Sequence, residues 1–275
     1  MADAPILLTD DPAPHVRRIT LNRPAKRNAL SNALRAEIFA ALEAGDADPD
    51  VRVMIIRGAG TCFSSGYDLA GVGELPWHTA GNQGQWARHV VDGCFRVWDL
   101  AKPVIAQVHG WCLAGGSELA VACDLVYVAD DAQIGYPAVR TMIPPDNHYH
   151  VWLMGMRAAM EQMLTGDSID GNEAVRLGFA NRAFPLDELE PAVLAMAQRI
   201  AKVDPELAQL NKRLVHRQME VMGMRQGIRA GTDLHALGWS TTASREYMAK
   251  LREGVAAALT ERDGKFDDYR TAPKA

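Results

Sequence analysis

In the segment GWCLAGGSELAVACDL, Gly110 to Leu125, backbone chemistry, burial and a candidate reactive carboxylate coincide, and this stretch restricts the fold more than any other. The preceding PVIAQVHG, Pro103 to Gly110, is a short β-branched apolar run of the kind that forms a buried strand. Gly115 and Gly116 follow, then Ser117 and Glu118, and an apolar run from Leu119 to Cys123 that predicts a buried helix. A glycine pair at a strand-to-helix turn lets a ligand approach the backbone closely, and the first N–H groups of a helix have no partner within it. The helix dipole adds partial positive charge at the same point, so an oxygen gaining negative charge during a reaction would be stabilised there. Two explanations of Glu118 stay open. It is either an ordinary first-turn acid complementing the dipole, or a carboxylate whose place at the head of so apolar a helix is costly without a task. The glycines likewise serve either close packing of helix on strand or a ligand.

A second arrangement of this kind lies upstream. HVRRITL, His15 to Leu21, reads as a strand ended by Pro24, and Asn28 or Ser31 is placed to cap a helix beginning near Leu34. LRAEIFAALEAGDADPD predicts an amphipathic helix ended by Gly45 and an acidic turn. VRVMIIRGAG gives an apolar strand, and Cys62 to Gly73 forms a glycine-bearing loop directly after it. Two such loops, each with free backbone donors, are able to hold one oxygen from both sides. Lys26 and Arg27 add positive charge nearby, either as a solvated turn or as contacts to an anion.

The stretch from about Glu74 to Gln85 is glycine-rich and weakly patterned, which predicts a loop. WARHVVDGCFRVWDLAKP has apolar positions at helical spacing and ends before Pro103, and LVYVADDAQIGYPAV gives one more strand and a turn. Pro144 and Pro145 then stiffen a turn presenting Asp146, Asn147, His148, Tyr149 and His150. Asp146 is either a helix N-cap or part of a site. His148 and His150 lack the further ligands that would complete a metal centre, so none is expected. Two helical pieces and a short strand follow up to Phe184, and the chain beyond Pro185 is mainly helical, with a break at Pro205. Alternating strands and helices give an α/β core. A division into a core over residues 1–200 and a helical region over 201–275 is expected, the latter more charged and suited to packing on a neighbouring subunit.

A net charge of -5 gives no electrostatic reason for a nucleic-acid partner. No apolar run approaches the roughly 18 residues of a membrane helix, and the acidic N-terminal stretch lacks the order of a secretory signal. A cytoplasmic location is the resulting expectation. The four cysteines, without CxxC spacing, read as reduced core residues. Neither a GxxxxGK[ST] loop nor a GxGxxG turn occurs, and Leu119 stands where a GxSxG elbow needs its last glycine, which sets Ser117 aside as a nucleophile.

LNRPAKRNAL, FSSGYDL, HGWCLAGGSELAVACDL, IGYP and LTGDSIDGNEAVRLGFAN occur in an order that resembles the crotonase, or enoyl-CoA hydratase/isomerase, superfamily, and the resemblance covers nearly the whole chain from about Ile19. It implies a crotonase-like spiral of ββα units with a helical C-terminal trimerisation region, assembled as a homotrimer or a dimer of trimers. It also implies an acyl-CoA thioester ligand, with coenzyme A entering as part of the substrate and no separate cofactor. By position, the backbone N–H groups of Tyr67 and Gly115 would hold the thioester oxygen. Lys26, Arg27, Ser65, Gly66, Asp68, Leu69, Gly116, Tyr136 and His148 fall where substrate or CoA contacts are expected. Glu118 matches the first of two glutamates used by family hydratases, while Ala138 occupies the place of the second. Some relatives, dienoyl-CoA isomerases among them, carry a catalytic aspartate at the place of Asp146. The resemblance therefore implies Glu118 with Asp146 as an acid/base pair in a hydratase or isomerase, or else, because of Ala138, an acyl-CoA-binding homologue with impaired catalysis.

Overall fold

The computed structural model describes residues 4–71, 85–266 and 268–269. Strands β1 (Leu7–Ala13) and β2 (Val16–Leu21) form an antiparallel hairpin, and helix α1 (Asn32–Ala47) leads to β3 (Val53–Gly58). Helix α2 (Gln85–Asp99) precedes β4 (Val104–Val108), then β5 (Trp111–Leu113), α3 (Gly115–Ala122), β6 (Leu125–Ala129) and β7 (Gln133–Gly135). Next come α4 (Tyr149–Thr165), β8 (Ser168–Ile169), α5 (Gly171–Leu177), β9 (Arg182–Phe184) and α6 (Leu186–Ile200). The remainder is α7 (Pro205–Val221), α8 (Met224–Gly238), α9 (Thr242–Glu253) and α10 (Val255–Asp263). No helix among the described residues is long and apolar enough to cross a membrane.

The larger sheet runs β1-β2-β3-β4-β6-β9, parallel from β2 onward, and the smaller runs β5-β7-β8. The inner strands β3 and β4 are apolar except at Arg57 and Gln107, as a parallel sheet covered on both faces favours; Val104, Ile105, Ala106 and Val108 are fully buried. From β4 the chain passes to β5 and then into α3, and from β6 it passes to β7 and then to α4. After β3 two isolated bridges, Ser64 to Cys112 and Tyr67 to Leu30, take the place of the second strand. This is the ββα repeat implied by the sequence motifs, wound about one axis. The consequence for function is positional, because the loops leaving β3 and β4 emerge side by side at the same end of the sheet.

Several local expectations change. The acidic N-terminal stretch forms β1, because Asp10 and Asp11 pair with Arg18 and Arg17 across the hairpin. Helix α1 starts at Asn32 with Ser31 as its cap, Oγ accepting from Leu34 N at 3.2 Å, and it continues past Gly45. That glycine sits inside the helix because a Cβ there would lie 2.6 Å from Met54 Sδ. Asn28 is no cap: its side chain accepts from Arg23 N and donates to Ala59 O and Cys62 O. Residues 125–135 make two strands rather than one. All four cysteines are buried and free. The loop expected over 74 to 85 lies, apart from Gln85, outside the described residues.

Candidate active site

The two glycine-bearing loops are stitched together. Ser64 N donates to Trp111 O at 3.0 Å and Leu113 N to Ser64 O at 3.0 Å, so the 63–68 loop pairs with β5 immediately before α3. Gly66, at φ +97°, has no room for a side chain, since a Cβ there would lie 2.8 Å from Leu113 O and 3.3 Å from Gly115 N. Gly116 is equally enclosed, its Cβ position being 2.7 Å from Ser64 O. Among the described residues neither Tyr67 N–H nor Gly115 N–H has a hydrogen-bond acceptor. Two uncommitted amides thus stand on adjoining loops.

Glu118 lies one turn into α3 and is fully buried. Tyr67 Oη donates to its Oε2 at 2.6 Å, Tyr136 Oη to its Oε1 at 2.8 Å, and Asn147 N reaches Oε1 at 3.3 Å. These donors favour the carboxylate, but burial, reinforced by the charge of Asp146, wins and pushes the Glu118 carboxyl up to about 8. Tyr67 contributes more than a backbone position. Its ring covers Gly115, whose Cβ position is 2.6 Å from the ring, and Tyr67 stacks edge-on to Trp86 with centroids 5.3 Å apart.

Asp146 is also buried, and burial pushes its carboxyl up to about 7 against the opposing charge of Arg35 and a hydrogen bond from the Trp86 side chain. It does not cap a helix, since α4 begins only at Tyr149, with His148 at the cap position. His235 Nε2 lies 3.2 Å from Asp146 Oδ1. The Nδ1 of that imidazole meets Pro144 O at 3.0 Å, and Trp239 Nε1 donates to Nε2 at 3.0 Å, a pattern that assigns the neutral form protonated on Nδ1. Burial lowers the pKa of His235 and so favours the same form. Burial thus favours the protonated form of Asp146 as it does that of Glu118, on which the Asp146 charge also acts.

The other expected residues divide into two groups. Lys26 and Arg27 are exposed on a short 3₁₀ turn, and Ser65 N donates to Arg27 O at 2.9 Å, tying that basic turn to the site loop. Asp68 pairs with Arg23 at 2.8 Å, and Leu69 packs against the apolar cluster of Met142, Ile143, Tyr247, Leu251 and Ala258. Ala138 joins the same apolar cluster. Where the resemblance implies a second glutamate there is thus a methyl group, and Asp146 lies near enough for its charge to act on Glu118. His148 turns toward α8, where a Cβ on Gly231 would lie 2.3 Å from its Cδ2. No group of three His, Cys, Asp or Glu side chains suited to a metal occurs among the described residues.

Arg35, Trp86, Asn147, His235 and Trp239 were not legible as site residues. For Arg35 a signal existed: it occupies the apolar stripe of α1 with Leu34, Ile38, Phe39 and Leu42. For the others the signal is tertiary, since α2, α4 and α8 meet at Asp146 only once folded.

The enoyl-CoA hydratase/isomerase family description matches residues 13–268. EchA13 of Mycobacterium tuberculosis, assigned by name to the enoyl-CoA hydratases, is 32% identical over 282 residues, covering 94% of this chain and 86% of its own. A Thermus thermophilus protein assigned to the same class is 32% identical over 254 residues, covering 92% and 97%. The crystal structure of an enoyl-CoA hydratase/isomerase from Xanthobacter autotrophicus Py2 superposes with a TM-score of 0.86 at 34% identity, covering 96% of this chain and 99% of that one.

Proposed function

Because the chain belongs to the enoyl-CoA hydratase/isomerase family, as an enzyme with the crotonase fold, we propose that it hydrates the double bond of a 2-enoyl-CoA thioester, with Glu118 and Asp146 as its acid/base pair. The observation that carries this reading is the pairing of two buried carboxyls, both pushed toward neutrality, beside two unpaired amides. The thioester oxygen would sit between the N–H groups of Tyr67 and Gly115, which stabilise the negative charge of an enolate. Water adds through its oxygen to the β carbon and loses one proton to the ionised carboxyl, while the protonated partner gives one proton to the α carbon. Two carboxyls sharing one proton are suited to that exchange. Coenzyme A enters as part of the substrate, with Lys26 and Arg27 placed for its phosphates.

One observation favours a second reading. With Ala138 at the place of the second glutamate, relocation of a proton between carbons, an isomerase reaction on an enoyl- or dienoyl-CoA, asks less of the site than delivery of water. Mass spectrometry of enoyl-CoA products decides: hydration adds one water and isomerisation leaves the mass unchanged. Replacing Glu118 with Gln lowers turnover by about 100-fold or more in either case, with CoA-ester binding retained. No turnover by the wild type, with binding intact, would leave a binding homologue.

The assembly proposed is a homotrimer or a dimer of trimers in the cytoplasm, with residues 1–200 as the site-bearing core and 201–275 as the assembling helices. Exposed Leu207, Leu210 and Leu214 on α7, and Leu234 and Leu237 on α8, support it.

A further inference from the structure

Among the described residues no carboxylate forms an ion pair with the buried Arg35. Arg35 is 4% exposed, and its Nη1 has no hydrogen-bond partner. The guanidinium lies 5.5 Å from the centroid of the Tyr67 ring and 5.1 Å from that of Trp86. Ring faces attract the cation but offer its N–H groups no lone pair of the strength an oxygen gives. Asp146 feels the charge but forms no ion pair with it, and its close contact is with the neutral imidazole of His235. Arginine cannot shed its proton to relieve burial, and an unsatisfied charged donor in an apolar wall is costly unless a ligand supplies the acceptor.

The pocket that Arg35 lines is small and otherwise mostly apolar, walled by Ile38, Phe39, Val90 and Leu119, and Gly115 belongs to its lining. On the acyl-CoA reading above, on which this inference rests, Gly115 marks the thioester carbonyl. The free space is about 20 Å³, so an acyl chain leaving that carbonyl enters it only as lining side chains move aside, and it then runs along apolar walls toward the guanidinium. We propose that Arg35 binds a carboxylate at the far end of the acyl group, so that the preferred substrates are CoA monothioesters of short dicarboxylic acids. A carboxylate supplies both things that Arg35 lacks, paired oxygen acceptors and a balancing charge. A hydroxyl or carbonyl supplies only the first.

Saturated thioesters test this without turnover. Calorimetry compares succinyl-, glutaryl- and adipyl-CoA with butyryl-, valeryl- and hexanoyl-CoA, matched in carbon number, on the wild-type protein, Arg35→Leu and Arg35→Lys. At least one dicarboxylic thioester is expected to bind tenfold or more tightly than its match, with the preference abolished in Arg35→Leu and weakened several-fold in Arg35→Lys, which keeps the charge without the planar fork. Equal affinities within every pair on the wild type overturn the inference and leave the acyl-CoA reading standing. So does a preference that survives in a folded Arg35→Leu, or, if that variant does not fold, one undiminished in Arg35→Lys. Failure of both series to bind overturns the acyl-CoA reading and this inference with it.

Discussion

Three donors hold the Glu118 carboxyl while burial opposes its charge, and the balance has a measurable thermodynamic sign. Its pKa rises from the ordinary 4.5 to about 8 in the folded protein. The folded state therefore binds this proton more tightly than the unfolded chain. The stability it contributes is fully present below the unfolded value and is lost as pH rises through the folded one. Asp146, raised from 3.8 to about 7, acts in the same direction. Wild-type Tm should fall between about pH 5 and pH 8, and Glu118→Gln should flatten that slope and exceed the wild type at the alkaline end. A calorimetric pH series on both proteins checks this, and parallel slopes would contradict it. Glu118 itself was legible as a candidate, because a carboxylate opening an apolar helix is conspicuous in sequence. Its phenolic partners were only half so. Tyr67 was placed by its backbone position, but nothing local indicated that its hydroxyl reaches 51 residues along the chain to the carboxylate.

Elements were legible where the hydrophobic period is clean and less so where polar pairing replaces it. The apolar strands from Val53 to Val108 and the capped helix α1 follow from their patterns, whereas β1 depends on cross-strand Asp–Arg pairs that no single-strand pattern contains. The anchoring of α7 belongs to the same class. Asp124, just before β6, accepts from Val104 N at 2.8 Å and from Lys212 Nζ at 2.8 Å, and its Oδ1 lies 3.0 Å from His216 Nε2. His216 in turn stacks on Trp98 with ring centroids 3.7 Å apart. One carboxylate thus ties a late helix to two central strands. Removing it takes the counter-ion from a buried ammonium, Lys212 with side-chain exposure of 7%, and leaves it the Lys102 carbonyl as acceptor. Asp124→Ala should cost about 3–5 kcal/mol, read as a lower urea midpoint, and Asp124→Asn, which keeps an acceptor, should cost less. A midpoint unmoved by Asp124→Ala would show that α7 is held by its apolar contacts alone.

At the scale of the whole molecule, the late helices carry both the inner wall of the site and an uncovered outer face. His235 of α8 and Trp239 just past its end reach the Asp146 end of the pocket, while on α7 Leu207, Leu210, Leu214 and Val221 are 57%, 64%, 61% and 76% exposed. Their spacing of three, four and seven residues places them on one stripe of a helix. So large an aligned apolar surface is unfavourable in water and marks an interface. If it closes the proposed trimer, each subunit's α7 and α8 are steadied by a neighbour, and the geometry around Asp146 depends on assembly. Leu210→Glu with Leu214→Glu puts two charges into that interface, at a desolvation cost. The double variant should sediment as a smaller species than the wild type and lose turnover in proportion to the dissociated fraction, recovering at higher protein concentration. A wild type that sediments as a monomer, or a double variant that keeps the wild-type mass, would show that the stripe does not assemble the subunits.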